Sequence, residues 1–250
     1  MLDEDALRRA VDGIPHVRAT VRWDDVTTST NETAMRLASE GAPAWTLVAA
    51  AHQTRGRGRQ GRSWVDRPGR ALLCSVVLRP ELPPDRLGLV SLASGAAIAG
   101  AGSTLSRGAV RCKWPNDLLA EGAKVGGVLA EAEVEGAVVR HVVVGFGVNL
   151  EVPEGVEGAG ALVGVDPERL LAGSLASLWR LLAAPDEIPE RWRAVADTLG
   201  RRVEATTVGG DAVRGVAADV DATGALVVET DGGPRRVAFG DVRHLVHDDG

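Results

Sequence analysis

Two uncharged apolar runs, Thr46–Ala51 and Ala71–Leu78, bracket a segment, Arg55–Arg70, that holds six arginines and one acid, Asp66. The runs have the length and apolarity of buried strands. A segment of formal charge +5 between them cannot be buried unpaired, so the chain must keep two strands inside a sheet and project a cationic loop from their ends. The loop is rich in glycine: Gly56, Gly58 and Gly61 allow close approach, while Arg57, Arg59 and Arg62 offer forked donors for phosphate or carboxylate oxygens.

The remaining pattern alternates strands and helices. Glu4–Val11 reads as a short helix ended by Gly13 and Pro15, and His16–Trp23 as a strand. Ser29–Asn31 stand as caps or as a binding nest before an amphipathic helix, Glu32–Ser39. Arg86–Leu105 is predicted helical, followed by a strand at Ala109–Trp114 and a turn at Pro115-Asn116-Asp117. Val125–Val134 and Val138–Val144 are joined closely enough to pair antiparallel. The segment 151–165 reads as a surface loop, and Asp166-Pro167-Glu168 opens a leucine-rich helix to about Ala183, with another helix from Pro189. Beyond Thr198 the pattern changes to short strands at Arg201–Thr206, Ala212–Val220, Ala225–Glu229 and Arg235–Phe239, punctuated by glycine turns. These predict a small β-barrel of the SH3-like kind, and two domains, 1–197 and 198–250.

The 34 acidic against 28 basic residues give a net charge of −6, which argues against a broad nucleic-acid-binding surface. Cys74 and Cys112 form neither a disulfide framework nor a C-x-x-C motif, so a reducing, cytoplasmic setting is expected. The acidic start lacks a signal-peptide core, and no apolar run reads as a bilayer span. The first 16 residues leave no room for a helical DNA-reading module.

Only two of the 28 basic residues are lysines, Lys113 and Lys124. Lys124, before Gly126-Gly127 at a strand entrance, reads either as a surface ion pair or as an ammonium projecting into a cleft. Trp64 either stacks on a flat ring or anchors the loop in the core, and Gln53 either meets a neutral polar ligand or ties the loop down. The loop itself is read as solvated, as an RNA contact, or as a polyanion site; it is neither a Walker A loop nor a Rossmann fingerprint.

The ordered set Ser29-Thr30-Asn31, QTRGRGRQGRSW (53–64), KWPNDLL (113–119), KVGGVLAE (124–131) and GFGVNL (145–150) resembles the biotin protein ligase family. The resemblance implies an α/β fold, a mixed sheet flanked by helices like class II aminoacyl-tRNA synthetase cores, with an SH3-like C-terminal domain. It implies that ATP activates biotin as biotinoyl-5'-AMP, and that biotin passes to a lysine of a biotin carboxyl carrier protein of an acyl-CoA carboxylase. By resemblance, Ser29, Thr30, Gln53, Gly56 and Arg57 bind biotin, while Arg59 and Lys124 serve both biotin and catalysis. Arg59, Arg62, Trp64, Lys113, Asn116 and Asn149 bind ATP or the adenylate, and Asp117 helps with Mg²⁺. The family often has a second asparagine two positions after Asn149, where this chain has Glu151. No DNA or membrane partner is implied, and the protein is expected to be a monomer or weak homodimer. The competing readings are a lipoate-protein ligase-like acyl-adenylate transferase and a noncatalytic RNA-binding protein.

Overall fold

The eight residues Ala71–Leu78 are all buried, as an uncharged run needs when both faces of its strand are covered. The computed structural model describes residues 2–12, 14, 17, 19–207, 209–238 and 240–245. Gly13, Pro15, His16 and Phe239, which the sequence assigns to breakers or strands, lie outside the described residues.

The chain runs α1 (Glu4–Asp12), β1 (Val21–Thr27), α2 (Thr30–Ser39), β2 (Leu47–Gln53), β3 (Gly56–Arg57), β4 (Ser63–Trp64), β5 (Ala71–Leu78) and α3 (Gly88–Leu105). It continues through β6 (Val110–Lys113), β7 (Asp117–Ala120), β8 (Ala123–Glu135), β9 (Val138–Asn149), α4 (Pro167–Ala183) and α5 (Ile188–Arg193). Five more strands follow: β10 (Arg202–Thr207), β11 (Ala212–Val220), β12 (Leu226–Thr230), β13 (Gly233–Val237) and β14 (Gly240–His244).

Seven strands form one mixed sheet in the order β1-β2-β5-β9-β8-β7-β6, with β1 and β2 parallel and the other pairs antiparallel. Side chains alternate across it. Val48, Val77 and Val143 face α2 with Ala34 and Ala38, whereas Leu47, Leu72, Cys74, Val76, Val144 and Phe146 join the larger core with α1, α3, α4 and α5. Helix α3 is apolar on all sides because the sheet, α4 and α5 surround it. The stretch Pro84–Leu105 is long and apolar enough by length and composition to cross a membrane, contrary to the expectation that no run qualifies, and 61% of its most apolar window is buried in this core. The α/β sandwich is therefore as expected. The predicted first strand is displaced toward Thr27 as an edge strand that tolerates Asp24 and Asp25, which shortens the polar link to α2.

The C-terminal barrel is not present. β10 to β14 make an antiparallel sheet in the order β13-β12-β11-β10-β14, and its edge strands do not pair among the described residues, so the sheet is open. Glycine turns specify reversals but not which edges meet. β14, which the sequence did not mark as a strand, instead turns Gly240 and Asp241 toward the arginine segment.

The two sheets meet at Trp114, which is 2% exposed. Its main-chain N–H donates to Thr198 Oγ1 (2.8 Å) and its indole N–H to the Gly224 carbonyl (3.1 Å). Gly224 has φ +86°, and a Cβ there would lie 3.0 Å from the Gly88 backbone, so only glycine fits both the turn and the contact. The turn is closed by Asp221, whose carboxylate accepts from Thr223 N, Thr223 Oγ1, Ala225 N and Arg236. Burial opposes its ionisation, but the donors prevail and hold it at about 2. Its folded value is depressed, so its stabilising contribution is complete above the ordinary aspartate value of about 4 and is lost as pH falls through about 2. In Asp221→Asn that part of the acid limb of thermal stability is expected to vanish, measured as melting temperature against pH.

Candidate active site

The cleft is built around the end of β2 and the start of α2. Gln53 Oε1 accepts the Thr30 main-chain N–H (2.8 Å) and lies 3.1 Å from Thr30 Oγ1, so Gln53 satisfies a free donor at the helix start. Ser29 occupies the N-cap position, yet its side chain makes no capping bond and is left lining the cleft. Gln53 Nε2 has no partner among the described residues. Beneath it, Ser75 Oγ lies 2.6 Å from Asn31 Oδ1 and 2.8 Å from Thr30 Oγ1, and Asn31 Nδ2 donates to Glu131 (2.9 Å). Glu131 in turn receives Arg57 (2.6 Å).

Two glycines of β9 make room. A Cβ on Gly145 would lie 1.9 Å from Asn31 Oδ1, and one on Gly147 would lie 2.6 Å from the Trp64 ring. Trp64 reaches that position because β3 and β4 pair Gly56 with Trp64 and Arg57 with Ser63. Trp64 thus anchors the loop on β9, and it also lines the cleft, with its buried indole N–H unpartnered among the described residues. Leu73 and Leu129, on the same face as Gly147 and Gly145, supply an apolar floor.

The other end is cationic. Lys124 Nζ is 2.5 Å from Asp117 Oδ1. Asn116 fixes the facing strand, donating from Nδ2 to the Val128 carbonyl (2.8 Å) while its own carbonyl accepts Val128 N–H (2.9 Å). Arg59 donates to the Gly240 carbonyl (3.1 Å) and lies 3.7 Å from Asp241, and Arg62 pairs directly with Asp241. Burial, with repulsion from Arg62, lowers the Arg59 pKa against the pull of Asp117. A guanidinium remains charged even so, and a partly desolvated one is suited to an incoming anion.

The lining of the cleft carries Arg57, Arg59, Arg62 and Lys124 against one carboxylate, Asp117. Neutral hydrogen-bonding groups stand at one end, apolar side chains in the middle and cations at the other. Such a cleft fits an elongated ligand with a polar head, an apolar body and an anionic tail. Among the described residues no three His, Cys, Asp or Glu side chains converge on a metal site. Asp117 is engaged with Lys124, so these residues do not make a protein-built magnesium site.

Of the residues singled out from the sequence, Ser29, Thr30, Gln53, Arg57, Arg59, Arg62, Trp64, Asn116, Asp117 and Lys124 converge on the cleft. Gly56 lies behind it, in the hairpin that carries Trp64. Lys113 and Asn149 do not line it. Lys113 faces a neighbouring groove shared with Glu204, Thr206 and Arg243, and Asn149 spends its amide on the Gly160 carbonyl (2.9 Å) beside a small separate depression. Glu151 pairs with Arg70. Sequence reasoning missed Ser75, Glu131 and Asp241 as site residues. Glu131 lies within KVGGVLAE and Asp241 within the Gly240-Asp241-Val242 run of the C-terminal domain, neither of which marks a contact with the arginines, whereas Ser75 carries no local signal.

Asp241 is 27% and Arg62 59% exposed at the side chain, so their ion pair is worth about 1 kcal/mol or less. Asp241→Ala releases both arginines from a competing carboxylate and is accordingly expected to lower the KM for the anionic ligand about fivefold at most, with the difference shrinking as salt is added.

Residues 23–149 match the model of the biotin/lipoate A/B protein ligase family, and residues 198–245 match the biotin protein ligase C-terminal domain. The biotin–(acetyl-CoA-carboxylase) ligase of Mycobacterium tuberculosis is 33% identical over 262 residues, covering 98% of this chain and 96% of the relative. The enzyme of the same name from Paracoccus denitrificans is 35% identical over 241 residues, covering 86% and 97%. Among solved structures, a biotin protein ligase from Aquifex aeolicus in complex with biotin and ATP shares the fold, with a TM-score of 0.74, 24% identity and coverage of 90% of this chain and 99% of that one.

Proposed function

The chain belongs to the biotin protein ligase family, and from that premise we propose how its cleft carries out the reaction. The protein is an ATP-dependent ligase that activates biotin and transfers it to a carrier protein. The observation that carries the residue-level reading is the cleft's order of groups: Gln53 and Ser29 at one end, an apolar floor, then Lys124, Arg59 and Arg62.

In this reading the biotin ring urea meets Gln53 Nε2, Ser29 and Thr30, and its apolar rings and chain lie over Leu73 and Leu129. The carboxylate reaches Lys124. ATP enters with magnesium carried on its own phosphates, adenine against Trp64, and Arg59 and Arg62 on the phosphate oxygens. Two anions must then approach, and Lys124 and Arg59 offset their repulsion. A carboxylate oxygen bonds to the α-phosphorus, the α–β bridging bond breaks, and pyrophosphate leaves. In the second step a neutral lysine amine of the carrier bonds to the acyl carbon, AMP leaves, and the amine proton passes to solvent. No protein nucleophile is needed: burial pushes the Cys112 thiol up to about 12 and Cys74 well above its ordinary value, and neither lines the cleft.

The carrier is taken to be the biotin carboxyl carrier domain of an acyl-CoA carboxylase, as the names of the relatives suggest. Residues 1–197 are taken as the catalytic unit and 198–250 as the C-terminal unit. A monomer or weak homodimer is the proposed state, and a cytoplasmic setting fits the two buried free cysteines. Purified protein with ATP, Mg²⁺, biotin and such a carrier domain is expected to add one biotinoyl group to the carrier by mass. Biotin, but not lipoate, is expected to support ATP–pyrophosphate exchange; exchange with lipoate alone would overturn the reading.

A further inference from the structure

We propose that His52 and Asp66 form a clasp at the base of the arginine segment, a pair of positioning residues that holds Gln53 and the loop cations for biotin activation. The proposal rests on the function given above.

His52 is the penultimate residue of β2, and Asp66 lies two residues beyond β4. His52 Nδ1 is 2.8 Å from Asp66 Oδ2, and the same oxygen lies 3.4 Å from the Gln53 main-chain N. The Asp66 side chain is 0% exposed, and its Oδ1 is buried with no partner among the described residues. A buried carboxylate with a spare oxygen is costly. Pairing of β2 with β5 ends at Ala50, and at His52 and Gln53 only β1 pairs with the strand, so Asp66 holds the end of β2 on the side that β5 leaves open.

What the contact does is close a loop. The residues between 52 and 66 include the β3–β4 hairpin with Trp64 and the three arginines of the cleft. Below the clasp the strand return is held by Gly69 N–H on the Ala51 carbonyl (2.9 Å). Closing the base reduces the conformations open to the loop before any ligand binds, so less ordering is left for the ligand to bring about. The carboxylate also fixes the main chain of Gln53, whose side chain joins the start of α2 to the cleft. Neither clasp residue lines the cleft, so both act through Gln53 and the loop.

The double variant His52→Ala/Asp66→Ala removes both partners and leaves no buried charge unpaired, so its fold is expected to survive. In the ligand-free protein, tryptic cleavage after Arg57, Arg59 or Arg62 is expected about tenfold faster, and the KM for biotin in ATP–pyrophosphate exchange about tenfold higher. Transfer from purified adenylate at saturating carrier is expected to be unchanged. His52→Asn, whose amide N–H takes the place of Nδ1–H, is expected to restore both values. Asp66→Asn keeps the shape without the charge and is expected to fall between. Wild-type cleavage rates and KM in the double variant and in Asp66→Asn overturn the clasp. Faster cleavage in the double variant, with no biotin-dependent exchange even by the wild type, supports the clasp and overturns only the biotin reading.

Discussion

Replacing Lys124 with alanine is expected to lower biotin-dependent ATP–pyrophosphate exchange by about 100- to 1000-fold, the range for losing one group aimed at charge in a transition state. The reason is positional. Lys124 enters the cleft from the start of β8, with its ammonium 2.5 Å from Asp117 and its neighbour strand fixed by Asn116. The attack asks one cation to face both the carboxylate and the phosphorus it approaches. The arginines hang from a loop and share Asp241, so they do not substitute for a group fixed on a sheet strand. Lys124→Arg is expected to recover little, because a planar fork does not occupy the place of a compact ammonium. Transfer from preformed adenylate is expected to fall far less, since the carboxylate and phosphate are by then joined. Equal losses in both half-reactions, or exchange at the wild-type rate, would refute the assignment.

How much of this was legible in the sequence follows from how local each contact is. Gln53, the loop arginines, Trp64 and Lys124 stand at strand ends that hydrophobic runs locate, and a strand end on a sheet leads to the cleft. Lys113 and Asn149 sit in motifs of the same kind, but the pairing of β6 with β7 and the bond from Asn149 to Gly160 turn them to other surfaces. Side-chain direction there depends on register, which a motif does not encode. The barrel failed for a related reason: turn residues mark where strands reverse, while closure depends on whether β13 and β14 pair. Instead β14 pairs with β10 and offers Asp241 to Arg62, a contact between residues far apart in sequence that no local pattern announces. The α2 start shows the same limit. Ser29 is placed as a cap, yet Gln53 from another strand takes the donor and thereby joins the helix to the site.

Gly147→Ala carries the second large effect, and it tests whether Trp64 is a nucleotide wall or only an anchor. The added Cβ would lie 2.6 Å from two ring carbons of Trp64, closer than such atoms approach, so the indole must leave β9. Displacing it moves the β3–β4 hairpin that carries Arg57, but leaves the seven-stranded sheet paired, because Gly147 keeps its backbone partners Leu73 and Gly127. An aromatic stack on a base contributes about 1–3 kcal/mol, so the KM for ATP is expected to rise about 10- to 100-fold. The KM for biotin is expected to change less, since the three atoms nearest the added methyl group all belong to Trp64. The clash and the ring are one cause, so the effects should not add. Trp64→Ala alone is expected to raise the KM for ATP by a similar factor, and Gly147→Ala in that background is expected to do nothing further. If the two substitutions multiply instead, the methyl group acts through something other than Trp64, and the adenine wall must be sought elsewhere in the cleft.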